Sequence, residues 1–90
     1  MPIVRFPAAM KYYFDNQSQI TVPAATVSEL IDLLIGQFPS AKFHLVDSEG
    51  RLRRHFNVFV NGQQIRELNG METLLGEGDK VILMVSAAGG

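Results

Sequence analysis

The stretch from Thr26 to Phe38 constrains the fold more than any other part of this sequence. Apolar residues recur there at Val27, Leu30, Ile31, Leu34 and Phe38. That spacing predicts a helix with a single apolar face. Thr26-Val27-Ser28-Glu29 fits a capping box. In that motif the Thr26 hydroxyl accepts from the Glu29 amide, and the Glu29 carboxylate reaches back to the Thr26 amide. Gly36 lies within the last turns, and Pro39 cannot continue the helix. One such helix cannot bury its apolar face alone, so the remaining segments must supply the opposing surface.

Most of those segments read as strands. Ile3 to Phe6 is short and apolar apart from Arg5, and Pro7 closes it. Ala8 to Tyr13 reads as a loop with a short return. Asp15, Asn16, Gln17 and Ser18 signal a turn. Ile20 and Val22 then alternate with Gln19 and Thr21, as in a strand with one buried face. Between Ser40 and His55 the chain is mixed. Ala41 to Val46 is open to a helical or an irregular reading, Asp47-Ser48-Glu49-Gly50 is a turn, and Arg51, Arg53, Arg54 and His55 form a basic run.

Phe56 to Val60 is strand-like, and Asn61-Gly62 is a hairpin signal because both residues tolerate the positive φ of a type I′ turn. Gln64 to Arg66 is the expected returning strand, centred on Ile65. Leu68, Met71, Leu74 and Leu75 are spaced for a short helical turn on the core. Gly76-Glu77-Gly78-Asp79 is a further turn, and Lys80 to Val85 a final strand. The pattern is α+β: a mixed sheet with one main helix packed across it. The passage strand-helix-strand is a right-handed crossover if its strands are parallel. Residues 1–85 are expected to form one domain and residues 86–90 a flexible tail.

Composition excludes several function classes. Eight Lys and Arg against nine Asp and Glu leave a net charge of -1, which argues against nucleic acid or anionic lipid as a partner. There is no cysteine, so a disulfide framework and a thiolate nucleophile are excluded, and a reducing compartment fits. Met1 to Val4 leads to Arg5 with no apolar leader region, and no apolar run approaches the ~20 residues of a membrane span. A cytoplasmic location is the expectation. His44 and His55 lack metal-ligand spacing, no carboxylate pair stands out, and no P-loop, GxGxxG or GxSxG pattern occurs. Neither a metal site nor a stand-alone enzyme is expected. The basic run reads as a solvated loop in preference to a docking site.

The end of the sequence is different. Glycine has no Cβ, so Gly89 and Gly90, with the small Ala88 before them, suit threading through a narrow channel. A terminal carboxylate, with pKa ~3.5, is anionic at neutral pH. It can attack the α-phosphate of ATP on an activating enzyme, and a sulfur donor can then displace AMP to leave a thiocarboxylate. The bland reading is that chain ends accumulate small residues.

The strand order, the Asn61-Gly62 hairpin, the Gly76-Glu77-Gly78-Asp79 turn and the ending Ala87-Ala88-Gly89-Gly90 together resemble the ThiS/MoaD sulfur carriers, which have the ubiquitin-like β-grasp fold. The resemblance covers essentially the whole chain and is most specific from Phe56 to Gly90. It implies that Gly90 is adenylated by an E1-like enzyme and carries sulfur as a thiocarboxylate. It implies no bound cofactor, with ATP and a sulfur donor used by the partner. The Ser40 to His55 segment is similar to carriers that feed cysteine biosynthesis and to long small subunits of molybdopterin synthase. The acceptor is then a cysteine synthase-like enzyme or the large subunit of that synthase, and the cysteine type is slightly favoured over the molybdopterin and thiamine types. Two alternatives stand beside this reading: a protein modifier conjugated through Gly90, and a non-catalytic β-grasp interaction module.

Strand alternation also predicts a docking face. If Asn57 faces out, so does Phe59; if Lys80 faces out, so do Ile82 and Met84. Val58, Val60, Val81 and Leu83 are then core. Phe59, Ile82 and Met84 form an exposed apolar patch leading to the tail, of the kind that marks interaction sites.

Overall fold

Burial of one helix face organises the molecule. The computed structural model describes residues 1–85. Helix α1 (Val27–Gln37) turns Val27, Leu30, Ile31 and Leu34 inward, each at most 1% exposed. Burying a side chain of this kind contributes about 1.5–3 kcal/mol. A cap contributes about 1 kcal/mol. Packing therefore dominates, while the cap decides where the helix begins.

Thr26 Oγ1 accepts from the Glu29 N–H at 3.1 Å, as the sequence predicts. The reciprocal bond is different. The Glu29 carboxylate accepts from the Ala25 N–H at 2.7 Å, one residue earlier than a capping box requires. A strand-like bridge between Thr26 and Leu74 holds the chain extended at Thr26, just before the helix, and presents the Ala25 amide to Glu29. Its flanking bonds run from Val27 N–H to the Thr73 carbonyl and from Leu75 N–H to the Ala25 carbonyl.

The helix accompanies a five-stranded mixed sheet: β1 (Ile3–Arg5), β2 (Gln19–Thr21), β3 (Phe56–Val60), β4 (Gln63–Gln64) and β5 (Lys80–Val85). The spatial order is β2-β1-β5-β3-β4. The strands bordering α1 in sequence, β2 and β3, are not neighbours, so the conditional crossover does not arise between them. The parallel pair is β1 with β5; β1–β2, β3–β5 and β3–β4 are antiparallel. Val4, Phe56, Val58, Val60, Val81 and Leu83 are buried on the inner face and join α1 in one apolar cluster. A second short helix, α2 (Lys42–Leu45), adds Leu45 to it.

Three segments depart from the sequence expectations. The Ala8 to Tyr13 loop is a 3₁₀ helix, Ala8–Phe14. Its form follows from aromatic burial: Phe14 stacks on Phe6 at 3.9 Å between centroids and meets the edge of Phe38 at 5.3 Å. The returning strand is only Gln63–Gln64, and Ile65–Glu67 turns into a 3₁₀ helix. The chain leaves the ladder there to bring Ile65, and after it Leu68 and Met71, onto the core. The expected helical turn is Gly70–Glu72, and Leu74 does not pack inward but is 76% exposed. Leu74 lies in the extended bridge to Thr26, between buried Thr73 and half-buried Leu75.

Thr26→Ala should lower unfolding free energy by about 1 kcal/mol, with Thr26→Ser close to wild type. Urea denaturation monitored by circular dichroism measures both. Equal losses in the two variants would refute the capping role of the hydroxyl.

Candidate functional site

Directly opposed residues in neighbouring strands share a face. The register places Phe59 opposite Ile82 and Asn57 opposite Met84. Ile82 in turn opposes Arg5, and Lys80 opposes Ile3. On the far side, Phe59 opposes Gln64. Phe59, Ile82 and Met84 therefore lie on one face of the sheet, the one turned away from the core. Their apolar surface is rimmed by Arg5, Lys80, Asn57 and Gln64. Phe59 and Ile82 are half-buried rather than fully exposed, since they cover each other across the ladder. Met84 is 50% exposed.

Met84 precedes Val85, the last residue of β5, which opposes Phe56. The described part of β5 thus ends beside the apolar face. Ala88, Gly89 and Gly90, and the expected tail of residues 86–90 as a whole, lie outside the described residues.

A polar clamp fixes this register. Asn61 adopts φ 50° and Gly62 φ 87°, the left-handed pair that a type I′ hairpin needs. From that position Asn61 ties the β3–β4 hairpin to the start of β5. Its N–H donates to the Lys80 carbonyl at 2.8 Å. Its Oδ1 accepts from the Lys80 N–H at 3.0 Å. Its Nδ2 donates to Asp79 Oδ1 at 3.0 Å, while Asp79 Oδ2 accepts from the Gly76 N–H at 2.7 Å. The Gly76 amide and then the Asn61 side chain hold the Asp79 carboxyl below its ordinary value. Both turns were legible in the sequence; the bond between them was not, because it spans 18 residues.

No group of three or more His, Asp or Glu side chains suited to a metal occurs among the described residues. His44 packs against Tyr13 at 4.2 Å and His55 against Phe56 at 5.3 Å, so the two histidines serve as ring contacts. No helix among the described residues is long and apolar enough to cross a membrane.

A family model, the ThiS family, matches residues 4–90. The chain is 27% identical over 89 residues to the sulfur carrier protein CysO of Mycobacterium tuberculosis, covering 97% of this chain and 96% of that one. It is 33% identical over 66 residues to small archaeal modifier protein 3 of Haloferax volcanii, covering 73% and 71%. Among solved structures, a chain of the Amycolatopsis orientalis BexX/CysO complex superposes with a TM-score of 0.88 at 29% identity, with all of both chains covered. The likeness establishes the ubiquitin-like β-grasp architecture.

The clamp has a pH signature. Because the Asp79 carboxyl is held below 3.8 in the folded state, its stabilisation is present above that value and is lost as pH falls through the lowered one. Asn61→Gly keeps the positive φ and removes the side chain. Carbon-detected NMR titration should place the wild-type Asp79 midpoint below 3.8 and that of the variant closer to it. An unmoved midpoint in the variant would show that Asn61 does not hold the carboxylate.

Proposed function

The chain belongs to the ThiS family, and from that premise we propose that it is a sulfur carrier acting through Gly90. The observation carrying this reading is the end-to-end likeness to CysO, which covers 97% of this chain and 96% of the relative. The described residues supply a compact support and a partner face, and partner enzymes supply the catalysis. The chain is a cosubstrate in this reading.

The chemistry proceeds in two displacements. A Gly90 carboxylate oxygen attacks the α-phosphorus of ATP on an E1-like enzyme, and pyrophosphate leaves. Sulfide, or an equivalent donor, then attacks the acyl carbon. The C–O bond to AMP breaks, and a thiocarboxylate remains with release of a proton. That sulfur passes to an acceptor enzyme. A cysteine synthase-like acceptor is favoured by the likeness to CysO over a molybdopterin synthase large subunit or a thiamine-pathway enzyme. Ala88 and Gly89 thread the activating enzyme's channel, where a side chain beyond a methyl would obstruct the path.

Phe59, Ile82 and Met84 are the docking residues in this scheme. The apolar surface they share adjoins Val85 at the end of β5, five residues before Gly90, so one partner engages both. The flexible thioether of Met84 suits a face used by more than one enzyme.

A second reading has its own support. The 33% identity to small archaeal modifier protein 3 favours conjugation of Gly90 to a lysine. Both readings share the acyl-adenylate and differ in the nucleophile that follows.

Incubation with a cognate E1-like enzyme, ATP and sulfide should raise the intact mass by ~16 Da, the difference between sulfur and oxygen. Deletion of Gly89 and Gly90 should abolish the shift. A persistent absence of the shift with a competent enzyme would sink the carrier reading, and lysine-linked conjugates in its place would support the modifier. Phe59→Asp should reduce thiocarboxylation by about tenfold or more, equivalent to at least ~1.4 kcal/mol, with unchanged circular dichroism. A normal rate in that variant would remove Phe59 from the docking face.

A further inference from the structure

The five strands carry two charged residues, Arg5 and Lys80, and both are cations. Both belong to the outer face, where Arg5 opposes Ile82 and Lys80 opposes Ile3. All nine carboxylates of the chain lie outside the strands. A chain of net charge -1 therefore has an outer face whose strand charges are all positive.

Arg5 also lines a small pocket where β1 runs out. Arg5, Phe6, Pro7, Lys11, Gln17 and Ser18 enclose about 190 Å³ there. The Phe6 N–H donates to the Ser18 carbonyl at 2.9 Å, which extends the β1–β2 pairing one step beyond Arg5 and Gln19. Lys11 comes from the 3₁₀ helix Ala8–Phe14, which the stack of Phe14 on Phe6 holds against the sheet. Arg5 and Lys11 are exposed, and no carboxylate lines the pocket. The ion pairs among the described residues, the N-terminus with Glu77 and Arg51 with Glu49, include neither cation. Because β1 and β5 are parallel, the chain beyond Arg5 runs in the direction in which β5 approaches Val85. The pocket thus lies at the Val85 end of the sheet, continuous with the apolar face.

We propose that the protein partner docked on the outer face inserts an Asp or Glu side chain into this pocket, where Arg5 and Lys11 hold its carboxylate. The inference rests on the carrier reading, which supplies the docked partner, and adds a chemical requirement to it. The partner surface is apolar at its centre and acidic where it meets the β1–β2 end of the sheet. Charge complementarity selects this occupant over a second copy of the chain. A two-fold contact through the outer face would set Arg5 and Lys80 against the same two cations. Size selects a side chain over a metabolite, since small-molecule sites run to ~300–1,000 Å³. The Arg5 guanidinium can take a carboxylate in two hydrogen bonds, and Lys11 adds a point charge. Phe6 and Pro7 offer apolar contact to the methylene stem.

The test measures ATP–pyrophosphate exchange by a purified cognate E1-like enzyme as a function of the concentration of the full chain. Arg5→Glu with Lys11→Glu should raise KM by at least about tenfold and leave kcat within about twofold, because the lost contact is a binding contact away from Gly90. Lys11→Gln, at an exposed position, should raise KM by about threefold with the thermal midpoint unchanged, which keeps the test valid if the double variant fails to fold. Lys42→Glu makes the same charge change as Lys11→Glu on helix α2 and should leave KM as in wild type. If the wild-type chain supports no exchange, the carrier reading fails and this inference falls with it. If the wild type supports exchange and the Arg5 and Lys11 variants keep its KM, this inference alone is overturned. An equal rise in KM for Lys42→Glu would also overturn it, since net charge and not the pocket would then set the affinity.

Discussion

The ladder between β3 and β5 is the interaction on which the remainder of the molecule depends. Its register, from Phe56 opposite Val85 to Val60 opposite Val81, sends alternate residues to opposite faces. One set, with Val58, Val60, Val81 and Leu83, completes the core under α1. The other set, with Phe59, Ile82 and Met84, makes the outer apolar face. A slip of one residue in either strand would exchange that strand's members of the two sets. That slip would expose the core residues and bury Asn57 and Lys80. Asn61 guards against it by bonding to both backbone groups of Lys80 and to Asp79. A single side chain in a two-residue turn thus holds both the core and the outer face in place.

A chain of 90 residues without cysteine has few means of its own to activate a substrate. A single small core leaves little volume for a deep, dry pocket, and small domains bury a smaller share of their surface than large ones. The carrier role proposed above would separate roles: the domain would present surfaces and a carboxylate, and partner enzymes would provide the nucleotide site and the exclusion of water. This explains why the features that matter here are faces and edges of the sheet.

Legibility from sequence followed the range of the interactions. Helix α1 was legible because its apolar period, cap and stop are all local, and Thr26, Glu29 and Pro39 lie within one short segment. The outer face was legible because alternation in a strand is local as well. Asn61-Gly62 announced its own backbone angles. What escaped was decided by distant partners. The Ala8–Phe14 helix depends on Phe6 and Phe38 meeting Phe14. The early end of β4 depends on Ile65 finding the core. The Glu29 carboxylate chose Ala25 because Leu74, far along the chain, held that segment extended.

The same early end of β4 shapes the surface beside the sheet. Had the hairpin continued to Arg66 as a regular strand, its backbone would have run on beside Asn57 and Phe56. The turn into Ile65–Glu67 instead buries Ile65 and carries Arg66 to the cleft that Arg53 and Arg54 also line. Two surfaces of different physics then flank one strand. Apolar contact at Phe59, Ile82 and Met84 acts only when water is expelled at short range. The charges of the three arginines act over about a Debye length, ~8 Å at physiological salt. With a net charge near zero, this chain has little long-range field of its own. The electrostatics of this chain are therefore local, set by clusters such as these three arginines and not by its net charge.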